Sequence, residues 1–222
     1  MKVIFLDIDG VLNCQSSKSS CHGMVGIDND KVKRLKEIVK STGAKIVLIS
    51  TWKTDWQKLL KEQQGYMADY LDKKLSRQGL VIMDKTEDTS ANRGQGILDW
   101  LDGKKIESFV ILDDEDFDYQ EANIADRVVK TVFYNDNGGL QDGEMKQAIE
   151  NAPEYVSYSI KKLRTVYNIE RIGEKLEYIS KAISLIGYIK DVNCQKSIVE
   201  ELSTDTDIST ESIWKELHKT GF

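Results

Sequence analysis

Lys2-Val3-Ile4-Phe5-Leu6-Asp7-Ile8-Asp9-Gly10-Val11-Leu12-Asn13 is the stretch around which the chain is organised. The run Val3–Leu6 has the pattern of a strand buried on both faces of a parallel sheet. Asp7 and Asp9 follow at its carboxyl end, and Gly10 permits a sharp turn. Ligands of open α/β sheets bind outside the carboxyl ends of the strands, so both carboxylates are expected to face a site. Side chains alternate along an extended chain, but a bend at Gly10 lets the two acids converge. Acids this close repel, and a site holding both needs a cation or a proton. An acidic turn after an ordinary strand is the plainer reading. Asp-x-Asp-Gly directly after a buried strand is much less common, and it favours a site.

Outward from this stretch the pattern alternates strand and helix. Residues 14–28 read as a polar, Ser-rich loop. Asp28 or Asn29 caps a helix carrying Val32, Leu35, Ile38 and Val39, and Gly43 ends it. Lys45–Ile49 is a second buried strand with Ser50, Thr51, Trp52 and Lys53 at its carboxyl end. A hydroxyl there can bind a phosphate oxygen and Lys53 can add charge, although Ser and Thr serve equally as helix caps. Asp55 to about Leu75 reads as one or two helices. Trp56, Met67 and Tyr70 read there as core or cover residues. Leu80–Ile82 is a short third strand, Met83–Asn92 a loop, and Arg93-Gly94 opens a helix with Ile97, Leu98, Trp100 and Leu101.

Phe109–Leu112 is another apolar strand, followed at once by Asp113, Asp114, Glu115, Asp116 and Asp118. A solvated acidic loop is one reading. Two strands of one sheet that both end in paired aspartates are better explained by a shared hard cation with oxygen ligands, such as Mg2+. Arg127–Phe133 reads as a fifth strand, 138–140 as a turn and 141–151 as a closing helix.

The chain has 222 residues, 40% hydrophobic and 31% charged, enough for one domain with an appendage. A net charge of −6 argues against a broadly basic nucleic-acid surface. The start reads as a core strand rather than a signal peptide, and no apolar run reaches the ~20 residues that span a bilayer. Cys14, Cys21 and Cys194 form no disulfide framework, which fits a reducing cytoplasm. Cys14, Cys21 and His22 lack zinc-ligand spacing and read as a free-thiol loop.

The Asp7–Val11 segment, Ser50 after the second strand, Arg93 before a helix and Asp113-Asp114 after the next strand resemble the four motifs of the haloacid dehalogenase superfamily. More narrowly, Leu6–Asn13, Ile46–Lys53, Arg93–Leu101 and Val110–Asp114 are similar to the phosphatase-like domains of multi-part RNA repair proteins. The resemblance implies a Rossmann-like, three-layer α/β fold with sheet order 5-4-1-2-3 and phosphoryl transfer through an aspartyl-phosphate with Mg2+. It implies Asp7 as nucleophile and metal ligand. Asp9 would be the general acid and base, with its backbone carbonyl on the metal. Ser50 would hold a phosphoryl oxygen, with Thr51 as the alternative one residue on. Asp113 would ligate the metal and Asp114 assist. Arg93 stands where lysine is usual, with Lys85 as its rival. Gly10, Thr51, Lys53 and Lys85 make up the expected substrate-binding set.

Caps in this superfamily enter after the first motif or between the second and third. Cys14–Asp28 is too short for a folded domain, and Thr54–Asn92 has room for a helix or two, so the expected cap is minimal. An open site suits a phosphate on a large partner, such as a nucleic-acid end. The rim loops Gln15–Ile27 and Met83–Asn92 offer Lys18, His22, Lys85 and Arg93 for phosphate contacts.

The expected division is a phosphatase domain over 1–151 and an α-helical C-terminal extension over 152–222, with Pro153 at the boundary. Ile169, Ile172, Leu176, Ile179, Ile183 and Ile186 form a heptad-like seam. It can pack internally, dock on the first domain, or pair two copies as a homodimer. Shorter helices are expected around Lys196–Leu202 and Thr210–His218. Their spacing is that of a helix-turn-helix, but nearly balanced charge speaks against DNA. The reading is a Mg2+-dependent phosphatase. The alternatives are a small-molecule nucleotide or sugar phosphatase, and a non-catalytic regulatory module that uses the helical tail.

Overall fold

The computed structural model describes residues 1–89, 91–150, 155–187, 189 and 192–219. The chain divides into two compact units, Met1–Ala152 and Pro153–Phe222. Pro153 itself lies outside the described residues.

The first unit is built on a five-stranded parallel sheet. β1 (Lys2–Leu6) lies at its centre, between β4 (Lys45–Leu48) and β6 (Ser108–Asp113). β5 (Ile82–Lys85) and β7 (Val128–Lys130) form the edges, giving the order β5-β4-β1-β6-β7. Counted along the sheet strands alone, this is the expected 5-4-1-2-3 arrangement. Val3, Ile4, Phe5 and Leu6 are all buried, as a central strand covered on both faces requires. Phe5 meets Trp100 and Phe109 edge to face, at 5.5 and 5.7 Å between ring centres. Each such buried side chain contributes roughly 1.5–3 kcal/mol relative to exposure.

Register positions the site. Leu6 pairs with Leu48 on one side and with Leu112 on the other, so three strands end level. The pairing continues one step further: the Asp7 amide donates to the Leu112 carbonyl at 2.9 Å, and the Ile49 amide to the Leu6 carbonyl at 3.0 Å. Asp7, Ser50 and Asp113 are therefore placed around one edge of the sheet by backbone hydrogen bonds.

α1 (Asn29–Thr42) buries Val32, Leu35 and Ile38 and ends at Gly43, whose φ of 69° and amide bond to the Val39 carbonyl close its last turn. α2 is Tyr66–Ser76, α3 Arg93–Leu101 and α4 Asp142–Glu150. Four local expectations differ from what is observed. The polar segment 14–28 contains a hairpin, β2 (Ser20–Cys21) with β3 (Met24–Val25), too short to carry an alternating pattern. Residues 55–60 are not helical; a 3-10 turn at Thr51–Lys53 and another at Lys61–Gln63 precede α2. β5 begins at Ile82 and runs on through Asp84 and Lys85, because an edge strand with a half-exposed face needs no apolar run. The last sheet strand is Val128–Lys130, shorter than Arg127–Phe133.

The second unit comprises α5 (Tyr155–Val166), α6 (Ile172–Ile186), α7 (Val192–Thr206) and α8 (Thr210–Lys219). Its own core joins Ile160, Tyr178, Ile179, Ala182, Ile183, Ile186, Ile198, Val199, Leu202, Ile213 and Leu217. Ile179, Ile183 and Ile186 of the heptad-like seam are buried there, whereas Ile172 and Leu176 are 78% and 59% exposed. α5 is a helix that no motif in the sequence announces. Among the described residues no helix is long and apolar enough to cross a membrane.

Candidate active site

Asp7 leaves β1 buried, and Ile8 accepts the amides of Val11 and Leu12 to form a tight turn. Gly10 sits in this turn at φ 74°, where a Cβ would run into the Asp114 carboxylate. Its lack of a side chain thus permits both the left-handed backbone and the approach of the second acidic strand end. Asp7, Asp113 and Asp114 each offer a carboxylate oxygen within 4.8 Å of the others.

Arg93, first residue of α3, answers this negative charge. Its Nη1 lies 2.9 Å from Asp7 Oδ1 and donates to Asp113 Oδ2 at 2.7 Å. The approach to Asp7 lacks hydrogen-bond geometry, so Asp7 Oδ1 is a buried oxygen without a hydrogen-bond partner. The guanidinium also lies over the Phe117 ring, 4.0 Å from its centre. Burial works against the Arg93 charge, but Asp7 and Asp113 more than offset it and push its pKa further up. Burial, together with Asp113, Asp9 and Asp114, raises the Asp7 carboxyl well above the ordinary range, against the pull of Arg93. Asp114 is pushed up to about 6, by burial first and then by Asp113 and Glu115. One guanidinium does not balance three carboxylates. A buried carboxylate oxygen that accepts no hydrogen bond, among hard oxygen donors, fits a divalent cation.

Asp9 is held from both sides. Asn13 Nδ2 donates to Oδ1 at 2.8 Å, and Trp52 Nε1 donates to Oδ2 at 2.9 Å. Asn13 is itself fixed, its Oδ1 accepting the Gly10 amide at 3.0 Å. Trp52 belongs to the turn after β4, started where Ser50 Oγ accepts the Trp52 amide at 3.5 Å. Ser50 is buried, and Thr51 is exposed and lines the cavity above Asp7.

The two lysines of the expected substrate set turn elsewhere. Lys53 Nζ pairs with Asp88 Oδ1 at 2.7 Å and donates to Thr86 at 2.9 Å, and burial lowers its pKa. Lys85 Nζ donates to the Lys53 carbonyl at 3.0 Å. Neither lines the cavity, which has a volume of about 340 Å³ and reaches Asp7, Asp9, Thr51, Arg93 and Asp114.

The acidic run after β6 divides its labour. Asp113 also accepts the Tyr119 hydroxyl at 2.6 Å. Asp116 pairs with Lys130 at 2.7 Å. Asp118 accepts the first amides of α3, from Gly94 at 2.6 Å and Gln95 at 2.9 Å. This cap, supplied from 24 positions away, fixes the helix start that carries Arg93. Sequence reasoning missed the contacts of Asn13, Trp52, Asp118 and Tyr119. Asn13 and Trp52 stood inside quoted motifs, so the signal was there; Asp118 and Tyr119 act through a loop whose path no local pattern encodes. Cys14 and Cys21 are buried free thiols, and the acidic triad is the metal-competent cluster among the described residues.

No curated protein and no solved structure matches the chain. A family model does, over residues 3–143, which spans every element from β1 into α4 and takes in all four motif segments. By that match the chain belongs to the family of HAD domains in Swiss Army Knife RNA repair proteins.

Proposed function

We propose that the chain is a Mg2+-dependent phosphomonoester hydrolase that works through an aspartyl-phosphate and acts on a phosphate at a nucleic-acid end. The observation that carries the chemistry is the buried cluster of Asp7, Asp113 and Asp114 around one guanidinium, with Asp7 Oδ1 ion-paired to Arg93 but accepting no hydrogen bond. Asp7, Asp113, Asp114 and the Asp9 carbonyl would hold the metal. When bound, Mg2+ would neutralise phosphoryl charge and allow Asp7 to react as a carboxylate.

An Asp7 oxygen attacks phosphorus, and the bond from phosphorus to the leaving oxygen breaks. The leaving oxygen takes a proton from Asp9. Water then attacks the acyl phosphate, gives its proton to Asp9, and releases inorganic phosphate with Asp7 restored. The donors on Asp9 each occupy one lone pair, so every carboxylate oxygen keeps another for this proton. Of Ser50 and its alternative Thr51, the exposed Thr51 lines the cavity and is the hydroxyl that meets a phosphoryl oxygen, while the buried Ser50 starts the turn that presents it. Arg93 rather than Lys85 supplies the third-motif cation, because Arg93 lines the cavity and the Lys85 ammonium is engaged by a carbonyl.

The large-substrate reading draws on the segments where a lid would stand. Between the second and third motifs, α2 sends Ala68, Leu71 and Leu75 into the core instead of forming a separate cover. After the first motif only the β2–β3 hairpin intervenes. Membership among domains of RNA repair proteins supports a nucleic-acid end. A free mononucleotide is the second reading, favoured by a cavity near the small end of ligand sites.

The test compares phosphorylated oligonucleotides, matching mononucleotides and sugar phosphates, with Mg2+ and with chelator. Higher kcat/KM for the oligonucleotide, abolished by chelator and restored by Mg2+, is the expected result. Equal rates on mononucleotides would install the second reading. Mg2+ should also raise Tm in the wild type and less so in Asp113→Ala.

A further inference from the structure

The cavity over Asp7 has two chemistries. Its buried residues are charged: Asp7 and Arg93 are 3% and 5% exposed. Towards its mouth Met24 and Tyr134 are exposed beside Thr51 and Glu115, and Val25 and Phe133 are half-buried. Met24 and Val25 come from the β2–β3 hairpin, and Phe133 and Tyr134 from the segment after β7. Tyr134 is 79% exposed and Met24 50%, and Phe133 stands edge-on to Tyr134 with ring centres 5.1 Å apart.

We propose that Tyr134, with Phe133, Met24 and Val25, is a subsite for the nucleobase of the nucleotide whose phosphate is removed. The inference rests on the phosphatase reading above for the placement of the phosphate, and it adds how the leaving group is recognised. A phosphate at Asp7 and Arg93 puts its ester group in the same cavity, whose lining includes these four side chains. The volume of about 340 Å³ is of the size that takes a single nucleotide. Every base has a π-face, so an exposed tyrosine ring and a methionine thioether make a sequence-tolerant contact.

Charge points the same way. Arg93 is the cation among the cavity residues, against Asp7, Asp9, Asp114 and Glu115. Arg93 is engaged by Asp7 and Asp113, so no cation of the cavity lining is left for the neighbouring phosphates of a chain, and recognition inside it falls to the ring. Lys18 and His22 are exposed on the loop beyond and do not line it.

Both walls are held in place. The Phe133 carbonyl accepts the amides of Gln15 at 3.0 Å and Asn135 at 2.9 Å, tying it to the loop that follows the first motif. The hairpin is anchored by His22 against Tyr66, with ring centres 4.3 Å apart, and by the Ile27 amide donating to the Tyr70 hydroxyl at 3.1 Å. A stacking surface that is already ordered loses little freedom when a base binds.

The experiment uses the full chain with Mg2+ and measures kcat/KM for nucleoside 5′- and 3′-monophosphates against the corresponding ribose phosphates without a base. Wild type should prefer the base-bearing ester by at least about tenfold, the range expected for one stacked base. Tyr134→Ala should bring this ratio towards one, and Tyr134→Phe, which keeps the ring, should retain it. The preference should persist as salt is raised, because stacking releases no counterions. A wild-type ratio near one, or a ratio unchanged in Tyr134→Ala, overturns the subsite. Calorimetric binding of the same two compounds decides the matter independently of turnover. If no ester is hydrolysed, the catalytic reading fails, yet tighter nucleotide binding that Tyr134→Ala erases still upholds the subsite. Equal binding overturns it.

Discussion

At Asp7, burial and three neighbouring acids work against ionisation, while Arg93 works for it. A carboxyl whose folded pKa is raised contributes stability below the ordinary carboxylate range, and that contribution is lost as pH rises through the raised value. Without metal at neutral pH, Asp7 therefore lowers stability, and Asp7→Asn should melt a few degrees above wild type in chelator. Mg2+ should stabilise wild type more than the variant, and the variant should hydrolyse no phosphate ester. Thermal melts with and without Mg2+ check this, and turnover above trace levels would remove Asp7 as the nucleophile. Trp52 tests a different link. Trp52→Phe keeps most of the buried ring but removes the donor to Asp9 Oδ2. If Trp52 aims Asp9 at the leaving oxygen, kcat should fall about tenfold more for an alkyl phosphate than for p-nitrophenyl phosphate, whose leaving group needs little acid help. Equal losses on both substrates would make the indole merely structural.

At the scale of the element, α3 depends on a residue outside it. Asn92 precedes the helix but makes no side-chain cap bond, and Asp118 takes the role from the loop after β6. Asp118→Ala should cost about 1 kcal/mol through the lost cap, read as a lower denaturation midpoint. It should also reduce kcat, because the first turn of α3 carries Arg93. A stability loss with kcat intact would show that Arg93 is placed by its own ion pairs instead. The strands lie at the other extreme of legibility. β1, β4 and β6 announce themselves as apolar runs, because burial on both faces demands apolar side chains at every position. β5, β7 and the hairpin do not, being short, at an edge or half exposed.

For the whole molecule, each compact unit has its own hydrophobic core. A domain with a complete core can fold alone. Residues 1–152 expressed without the rest should therefore unfold cooperatively and hydrolyse a small aryl phosphate with kcat within about twofold of the full chain, the usual size of a remote effect on an independent site. An insoluble or inactive fragment would make the helical unit part of the catalytic fold. The exposed Ile172 and Leu176 are the two of the six seam residues that the core of α5–α8 does not use.

The sequence by itself determined the central strands, the convergence of Asp7, Asp113 and Asp114, the place of Arg93 at a helix start, and the C-terminal helices beyond the sheet. These follow from local rules: apolar runs make buried strands, and acids at their carboxyl ends meet where the strands end level. Tertiary structure alone decided that Trp52 reaches Asp9 across 43 positions and that Asp118 caps α3. It also decided that Lys53 turns to Asp88 and that Phe133 and Tyr134 stand with Met24 around the acidic floor. The physical reason is that a hydrogen bond or ring contact depends on where loops return in space. Neither residue type nor spacing along the chain records that path.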